Sequence, residues 1–274
     1  MKTKLIAEIG ISHNGDINIA KKLIDIAADA GFQYVKFQKR NPDDCVPEHQ
    51  KNTIKKTPWG DMTYLDYKKK IEFGYDEYET LFNHARKRNV IMFSSAWDIA
   101  SVDFLSQFGN LIKIPSALLT NDKLLEYTKS KFEYRILSTG MSTEAEIMKA
   151  AKIFEPQMIM HTNSTYPCTP QDLNLGYIKW LKENHFTREI GYSGHEFGLT
   201  TTVAAVLLGA KWIERHITLD RSMWGSDQLA SIEPTGMFKL VKMIKEVEEA
   251  TSSGYHPRRL LPGEEIKKES LRGK

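Results

Sequence analysis

The chain has 274 residues, 41% hydrophobic and 27% charged, the balance of an ordinary globular protein and enough length for one large domain or two small ones. Its 38 basic and 35 acidic residues leave a net charge of +3, too small a surplus for a nucleic-acid footprint, and no apolar run reaches the roughly 18–20 residues of a membrane span. The cysteines, Cys45 and Cys168, are too few for a disulfide framework or a Cys-rich zinc site, and residues 1–10 lack the apolar stretch of a signal peptide, so a cytoplasmic protein with neither nucleic-acid nor membrane partners is expected.

In chain order, short apolar or β-rich runs at 5–10, 34–38, 90–96, 111–116, 135–140, 158–163, 189–194 and 212–218 predict eight strands. Their continuous apolar character suits strands buried on both faces, as in a parallel sheet. Amphipathic stretches such as 19–30, 75–88, 143–154 and 200–208 alternate with them, which argues for right-handed βαβ units. Eight units in about 250 residues is the size of a (β/α)₈ barrel, whereas an open doubly wound sheet suits five or six. The expected organisation is an α/β chain with a catalytic barrel over 1–255 and a tail over 256–274, whose basic end from 267 is solvated, with no second domain. Residues 41–73 are too many for an ordinary βα connection, and Trp59, Tyr64, Tyr67 and Phe73 give that segment something to bury.

In such a barrel the site lies at the C-terminal ends of the strands. Those ends carry Glu8, then Lys36 and Gln38, Ser94 and Ser95, Lys113 and Ser116, Ser138 and Thr139, His161 with Ser164 and Tyr166, Ser193 and His195, and Glu214 and His216. Side chains alternate faces along a strand, so Glu8 shares a face with Ile6 and Gly10, and Lys36 with Tyr34 and Gln38. If that face points inward, Glu8, Lys36, Lys113 and Glu214 must pair with one another as a structural network or hold a ligand. Two lysines among several hydroxyls suggest an anion site for a phosphorylated or carboxylated small molecule. No P-loop occurs and no G-x-G-x-x-G follows a strand, which disfavours nucleotides. Ser138-Thr139-Gly140 offers backbone N–H groups to a phosphate, but serves equally as a helix cap. His195 and His216 end consecutive strands about 5 Å apart, so their imidazoles can converge on one divalent ion and leave positions for water and substrate oxygens. His161 reads more simply as a hydrogen-bonded core histidine, and no Gly-x-Ser-x-Gly nucleophile elbow is present.

Ala7-Glu8-Ile9-Gly10 with His13-Asn14-Gly15, Val35-Lys36-Phe37-Gln38, Lys113-Ile114-Pro115-Ser116, Leu137-Ser138-Thr139-Gly140-Met141 and the stretch 161–167 follow one another in a fixed order. Gly209-Ala210-Lys211, Ile213-Glu214-Arg215-His216, Thr218-Leu219-Asp220-Arg221 and Ala230-Ser231-Ile232-Glu233-Pro234 complete it. This collinear set resembles the sialic acid synthases from about Leu5 onward. The resemblance implies a barrel that condenses phosphoenolpyruvate with an open-chain N-acyl amino sugar such as N-acetylmannosamine, giving a nine-carbon 2-keto-3-deoxy acid and phosphate, and working as a homo-oligomer. It implies phosphoenolpyruvate contacts at Lys36, Ser95, Lys113, Ser116, Ser138 and Ser193, and sugar contacts at Glu8, Gln38, Tyr166 and Asp227, with Glu8, Lys36 and Lys113 as the catalytic set. His195 and His216 align with the histidines that hold the family's divalent ion, with manganese expected and magnesium the alternative.

Leu118, Gly194 and Gln228 stand where the family usually carries glutamate, aspartate and histidine, which is expected to change the choice of sugar. A different acceptor, with a legionaminate-, pseudaminate- or octulosonate-type product, is the nearest alternative. A metal-dependent hydrolase or isomerase, or a non-catalytic barrel, are the rivals from other classes. Full-length members lend an arginine to a neighbouring subunit from a trailing antifreeze-like domain that would begin near residue 274. Here segment 41–73, with Trp59, Arg40, Lys55 or Lys56, is expected to cover the acceptor instead.

Overall fold

The protein is described by a computed structural model that covers residues 1–184, 189–252, 254 and 257–272. Its strands are β1 (Lys4–Gly10), β2 (Tyr34–Lys39), β3 (Ile54–Thr57), β4 (Gly60–Thr63), β5 (Ile91–Ala96), β6 (Leu111–Ile114), β7 (Tyr134–Ser138), β8 (Met158–Thr162), β9 (Glu189–Gly194) and β10 (Trp212–His216). The helices are α1 (Ile17–Ala30), α2 (Pro42–Cys45), α3 (Glu48–Lys51), α4 (Tyr64–Ile71), α5 (Tyr75–Lys87), α6 (Ile99–Leu105), α7 (Asp122–Lys131), α8 (Glu144–Phe154), α9 (Tyr177–Glu183), α10 (Thr200–Leu207), α11 (Pro234–Thr251) and α12 (Pro262–Arg272). Eight strands close into a parallel barrel in the order β1-β10-β9-β8-β7-β6-β5-β2, and each of the eight predicted runs supplies one of them. The run 111–116 stops at Ile114 as a strand, because Pro115 has no N–H for the ladder and the chain turns into a 3₁₀ helix at Ser116–Leu118.

The helices form where their caps and apolar stripes coincide. In α1, Asp16 accepts the backbone N–H groups of Asn18 and Ile19, and Ala20, Leu23, Ile24 and Ala27 recur at helical spacing on the buried face. That face joins the main core, which lies between the helices and the outward side chains of the strands, such as Leu5, Val35, Ile112 and Ile213. Inside the barrel, the lower layer is apolar: Ile6, Phe93, Ile136, Met158, Met160 and Trp212 pack together. One step further along the strands, the same inward parity presents polar groups, so the fold places a hydrophilic layer directly above a closed apolar floor.

Segment 41–73 is ordered by α2, α3, the β3–β4 hairpin and α4. Tyr67 and Ile71 of α4 pack with Ile11, which follows β1, and Trp224, which follows β10, so the helix lies over the mouth of the barrel. Gly15 permits this approach: it adopts a φ of +75°, and a Cβ there would lie 2.7 Å from the Lys70 carbonyl oxygen. The predicted boundary at 255/256 and the terminal Lys274 lie outside the described residues. The predicted tail holds α12, which buries none of its residues. Among the described residues, no helix is long and apolar enough to cross a membrane.

His13 lies in the loop after β1, stacked on Phe73 at 4.2 Å, with its Nδ1 accepting the Gly15 N–H at 3.0 Å. Burial drives its pKa down from 6.5 to about 3. As pH falls from 6.5 toward 3, only the unfolded chain takes up this proton, so stability present above pH 6.5 is lost at up to about 1.4 kcal/mol per pH unit. Thermal melts from neutral to mildly acid pH should show this decline, and His13→Gln should remove one proton's worth of the slope. An unchanged slope in the variant would contradict this role.

Candidate active site

The polar layer encloses a cavity of about 280 Å³ at the C-terminal mouth. Glu8, Lys36, Gln38, Ser95, Lys113, Ser138, Ser193, His195 and His216 line it, as the alternation along the strands requires, and Ser116 and Tyr166 join them from the segments after β6 and β8. Asp227, the remaining predicted contact, is not in the lining; its Oδ2 lies 3.8 Å from His216 Nδ1. Ser94 faces the other way, with its hydroxyl 3.3 Å from that of Tyr78. His161 also lies outside the ring, with Nε2 2.8 Å from the Leu173 carbonyl, as expected of a core histidine.

The charges at the floor are tightly coupled. Lys36 Nζ lies 2.7 Å from Glu8 Oε2 and 3.7 Å from Glu214 Oε1, while Lys113 Nζ donates to Glu214 Oε1 at 2.7 Å. Ser193 Oγ donates to the same oxygen at 3.1 Å, and Gln38 Nε2 donates to Glu8 Oε1 at 3.0 Å. Burial alone would raise the Glu214 pKa, but Lys113 and Lys36 overcome it and hold the carboxyl well below its usual range. Burial lowers the Lys113 pKa, with the Lys36 charge adding to it against Glu214. For Lys36 the order reverses: burial opposes the charge, and Glu214 and Glu8 together raise the pKa.

Of the two alternatives open to these four charges, mutual pairing is present: two carboxylates balance the two ammonium groups within the layer. Glu214 is the hub, with both lysines and Ser193 converging on one oxygen while its Oε2 has no hydrogen-bond partner. An entering anion would take over contacts that the lysines now make to Glu8 and Glu214.

His195 and His216 meet on the adjoining wall with ring centroids 5.3 Å apart, and Tyr166 covers His195 at 3.9 Å. His195 Nδ1 lies 2.6 Å from the Asn163 carbonyl; a carbonyl only accepts, so Nδ1 carries the proton and Nε2 keeps its lone pair. Burial, with the neighbouring His216, pushes the His195 pKa down to about 3, which keeps the ring neutral. His216 Nδ1 is buried with no hydrogen-bond partner. Two converging imidazoles, one with an unpartnered buried nitrogen, fit a divalent cation completed by water or substrate oxygens. Among the described residues no cluster of three or more His, Cys, Asp or Glu side chains has ligating geometry, so the protein alone would not saturate the ion.

The motif order and this geometry agree with the comparisons. The NeuB family model matches residues 23–256. The chain belongs to the NeuB family. It is 37% identical over 263 residues to the N,N'-diacetyllegionaminic acid synthase of Campylobacter jejuni subsp. jejuni, covering 92% of this chain and 78% of that one. It is 36% identical over 274 residues to the N-acetylneuraminate-9-phosphate synthase of Mus musculus, covering 97% and 76% of the two chains. The crystal structure of N-acetylneuraminic acid synthetase from Leptospira borgpetersenii in complex with citrate matches at a TM-score of 0.86 and 32% identity, over 100% of this chain and 94% of that one.

Within the NeuB frame, all three departures lie away from the cavity lining. Position 194 has the outward parity: a Cβ on Gly194 would overlap the Glu196 carboxylate and lie 2.8 Å from Tyr192 Cε1. Glu196 is fully buried and accepts from the Tyr192, Thr201 and Thr202 hydroxyls and from Arg215 Nη1. Gln228 is buried, its Nε2 3.4 Å from the Trp224 carbonyl, where it helps hold the loop after β10. Leu118 packs on the main core from the 3₁₀ turn after β6. These positions therefore bear on strand ends and loops rather than on the cavity lining. Trp97, Met141 and Thr162 line the cavity and were missed; for Trp97 the signal was its parity with Ser95, two residues earlier.

Proposed function

We propose that this chain condenses phosphoenolpyruvate with an open-chain N-acyl amino sugar, forming a nine-carbon 2-keto-3-deoxy sugar acid and releasing phosphate. The observation that carries the reading is one cavity with lysine–carboxylate pairs at its floor and a converging histidine pair on its wall. Lys36 and Lys113 bind the carboxylate and phosphate of phosphoenolpyruvate by leaving part of their contact with Glu8 and Glu214, while the hydroxyls of Ser95, Ser116, Ser138 and Ser193 supply neutral donors around the anion. This holds the enol carbon toward the mouth, where the aldehyde arrives, and converts a bimolecular encounter into an oriented one.

A carbon–carbon bond forms from C3 of the enol to the aldehyde carbon, and the aldehyde oxygen takes a proton to become a hydroxyl. Water adds at C2, the C2–O bond to phosphorus breaks, and phosphate leaves behind a ketone. Glu8 and Glu214 face the positive character that develops at C2, in a layer closed below by apolar side chains. Gln38, tied to Glu8, and Tyr166 and Asp227 above it hold the sugar. His195 and His216 would hold a divalent ion, manganese or magnesium, which supplies Lewis-acid polarisation of the aldehyde.

Phosphate release from phosphoenolpyruvate, followed across a panel of aldoses that includes N-acetylmannosamine, tests the reading. Release that requires both an N-acyl amino sugar and a divalent cation is the expected result. Release without sugar, or none with any aldose, would contradict it.

A further inference from the structure

Arg40 follows β2 directly and keeps the parity of Lys36 and Gln38, which brings its side chain beside that of Gln38. It is buried, yet it does not itself line the cavity; two residues that it touches, Gln38 and Trp97, do. Its guanidinium is held from three directions. Glu72, just past the end of α4, pairs with Nε at 3.0 Å, the Trp97 ring centroid lies 4.5 Å from Cζ, and Nη2 donates to Gln38 Oε1.

The other end of the Gln38 amide is fixed as well. Its Nε2 donates to Glu8 Oε1 at 3.0 Å, while Glu8 Oε2 pairs with Lys36 at 2.7 Å. A guanidinium only donates and a carboxylate only accepts, so the two partners between them set which way the amide points. Gly10 leaves room for the contact: its φ is +53°, and a Cβ there would lie 3.1 Å from both Gln38 Nε2 and Glu8 Oε1. Among the described residues Nε2 donates to Glu8 alone, so one N–H remains for a ligand, while the amide oxygen is already taken.

We propose that Arg40 is a positioning residue for the acceptor: by occupying Gln38 Oε1 it makes Gln38 a donor-only contact, which selects a hydroxyl or carbonyl oxygen on the sugar. The link to the sugar rests on the condensing reading given above. Arginine suits the task because its planar fork serves Glu72 and Gln38 at once from different nitrogens, whereas a lysine ammonium is a point charge on a flexible stem. Without the fork, the amide oxygen has no donor and is free to turn toward the cavity. A ligand oxygen placed there would then meet an acceptor instead of an N–H and lose its hydrogen bond.

Arg40→Lys tests this, because it keeps a cation for Glu72 and removes the fork; its melting temperature should stay near that of the wild type. Arg40→Met, which removes the donor altogether, serves as the second variant, with Glu72 still 3.6 Å from Lys39. In protein carrying isotope-labelled glutamine, the amide proton pair that vanishes in Gln38→Leu belongs to Gln38. That pair should shift and exchange faster with solvent in both Arg40 variants. In turnover with the aldose panel, the KM for the aldose should rise about tenfold while the KM for phosphoenolpyruvate stays unchanged. Added to Gln38→Leu, Arg40→Lys should cost nothing further, since both act through one side chain. An unmoved amide pair in either variant, an unchanged aldose KM, or a loss that adds in full on the Gln38→Leu background would overturn the positioning role. Absence of phosphate release by the wild type with every aldose would instead sink the condensing reading, and a shifted amide pair would still uphold Arg40 as the residue that orients Gln38.

Discussion

Lys113→Met is expected to raise the KM for phosphoenolpyruvate about a hundredfold and to cost about 3 kcal/mol of stability. Both effects come from the same atom. Lys113 Nζ is the closer of the two ammonium groups on Glu214 Oε1, at 2.7 Å against 3.7 Å for Lys36. Its removal leaves a buried carboxylate with one distant partner and withdraws one of the two cations available to an anionic ligand. The double variant Lys113→Met with Glu214→Gln separates the effects. It carries no excess buried carboxylate, since Glu8 and Lys36 still match at 2.7 Å. Urea unfolding should therefore return close to the wild-type value, while phosphoenolpyruvate affinity stays low. Recovery of both together would mark the ring as a structural network without a ligand.

His216→Ala is expected to lower kcat at least about a hundredfold and to abolish tight manganese binding, with the fold intact. The fold should survive because the ring contributes little that other groups depend on. Its Nδ1 has no hydrogen-bond partner, and its nearest charged neighbour, Asp227 Oδ2, is 3.8 Å away. His195→Ala should be the less clean experiment. That ring is held by the Asn163 carbonyl and covered by Tyr166, so truncation also loosens the loop after β8. Manganese titration of the two variants beside the wild type, with circular dichroism to confirm folding, checks the comparison. Unaltered turnover in metal-stripped His216→Ala would refute the role given to the pair.

The barrel and the inward ring were legible because both rest on local rules. A period of two places Glu8 above Ile6 and Lys36 above Tyr34, and eight apolar runs with helical spacers leave few topologies to choose from. The electrostatic state of the ring was not legible. Glu214 and Lys113 are 101 positions apart, and only closure of the sheet sets them on one oxygen-to-nitrogen contact of 2.7 Å. Position 194 shows a different failure. The alternation that turns Ser193 and His195 inward already turned Gly194 outward, yet reading it as a lost family aspartate assigned it to the sugar. The cover formed by segment 41–73 was anticipated from its aromatic residues. The residue of that segment with the most unusual environment, Lys68, was not, because a lysine in a charged helix looks solvated until the helix is seated.

The central claim is that the lysine layer and the histidine pair serve one cavity, so that a cation on His195 and His216 stands beside the anion on Lys36 and Lys113. Phosphorus relaxation of bound phosphoenolpyruvate, measured with manganese present, tests this most directly, because a paramagnetic ion acts only at short range. Strong enhancement that disappears in His216→Ala is the predicted result. Bound phosphoenolpyruvate whose relaxation is indifferent to manganese, or enhancement that persists without His216, would contradict the account.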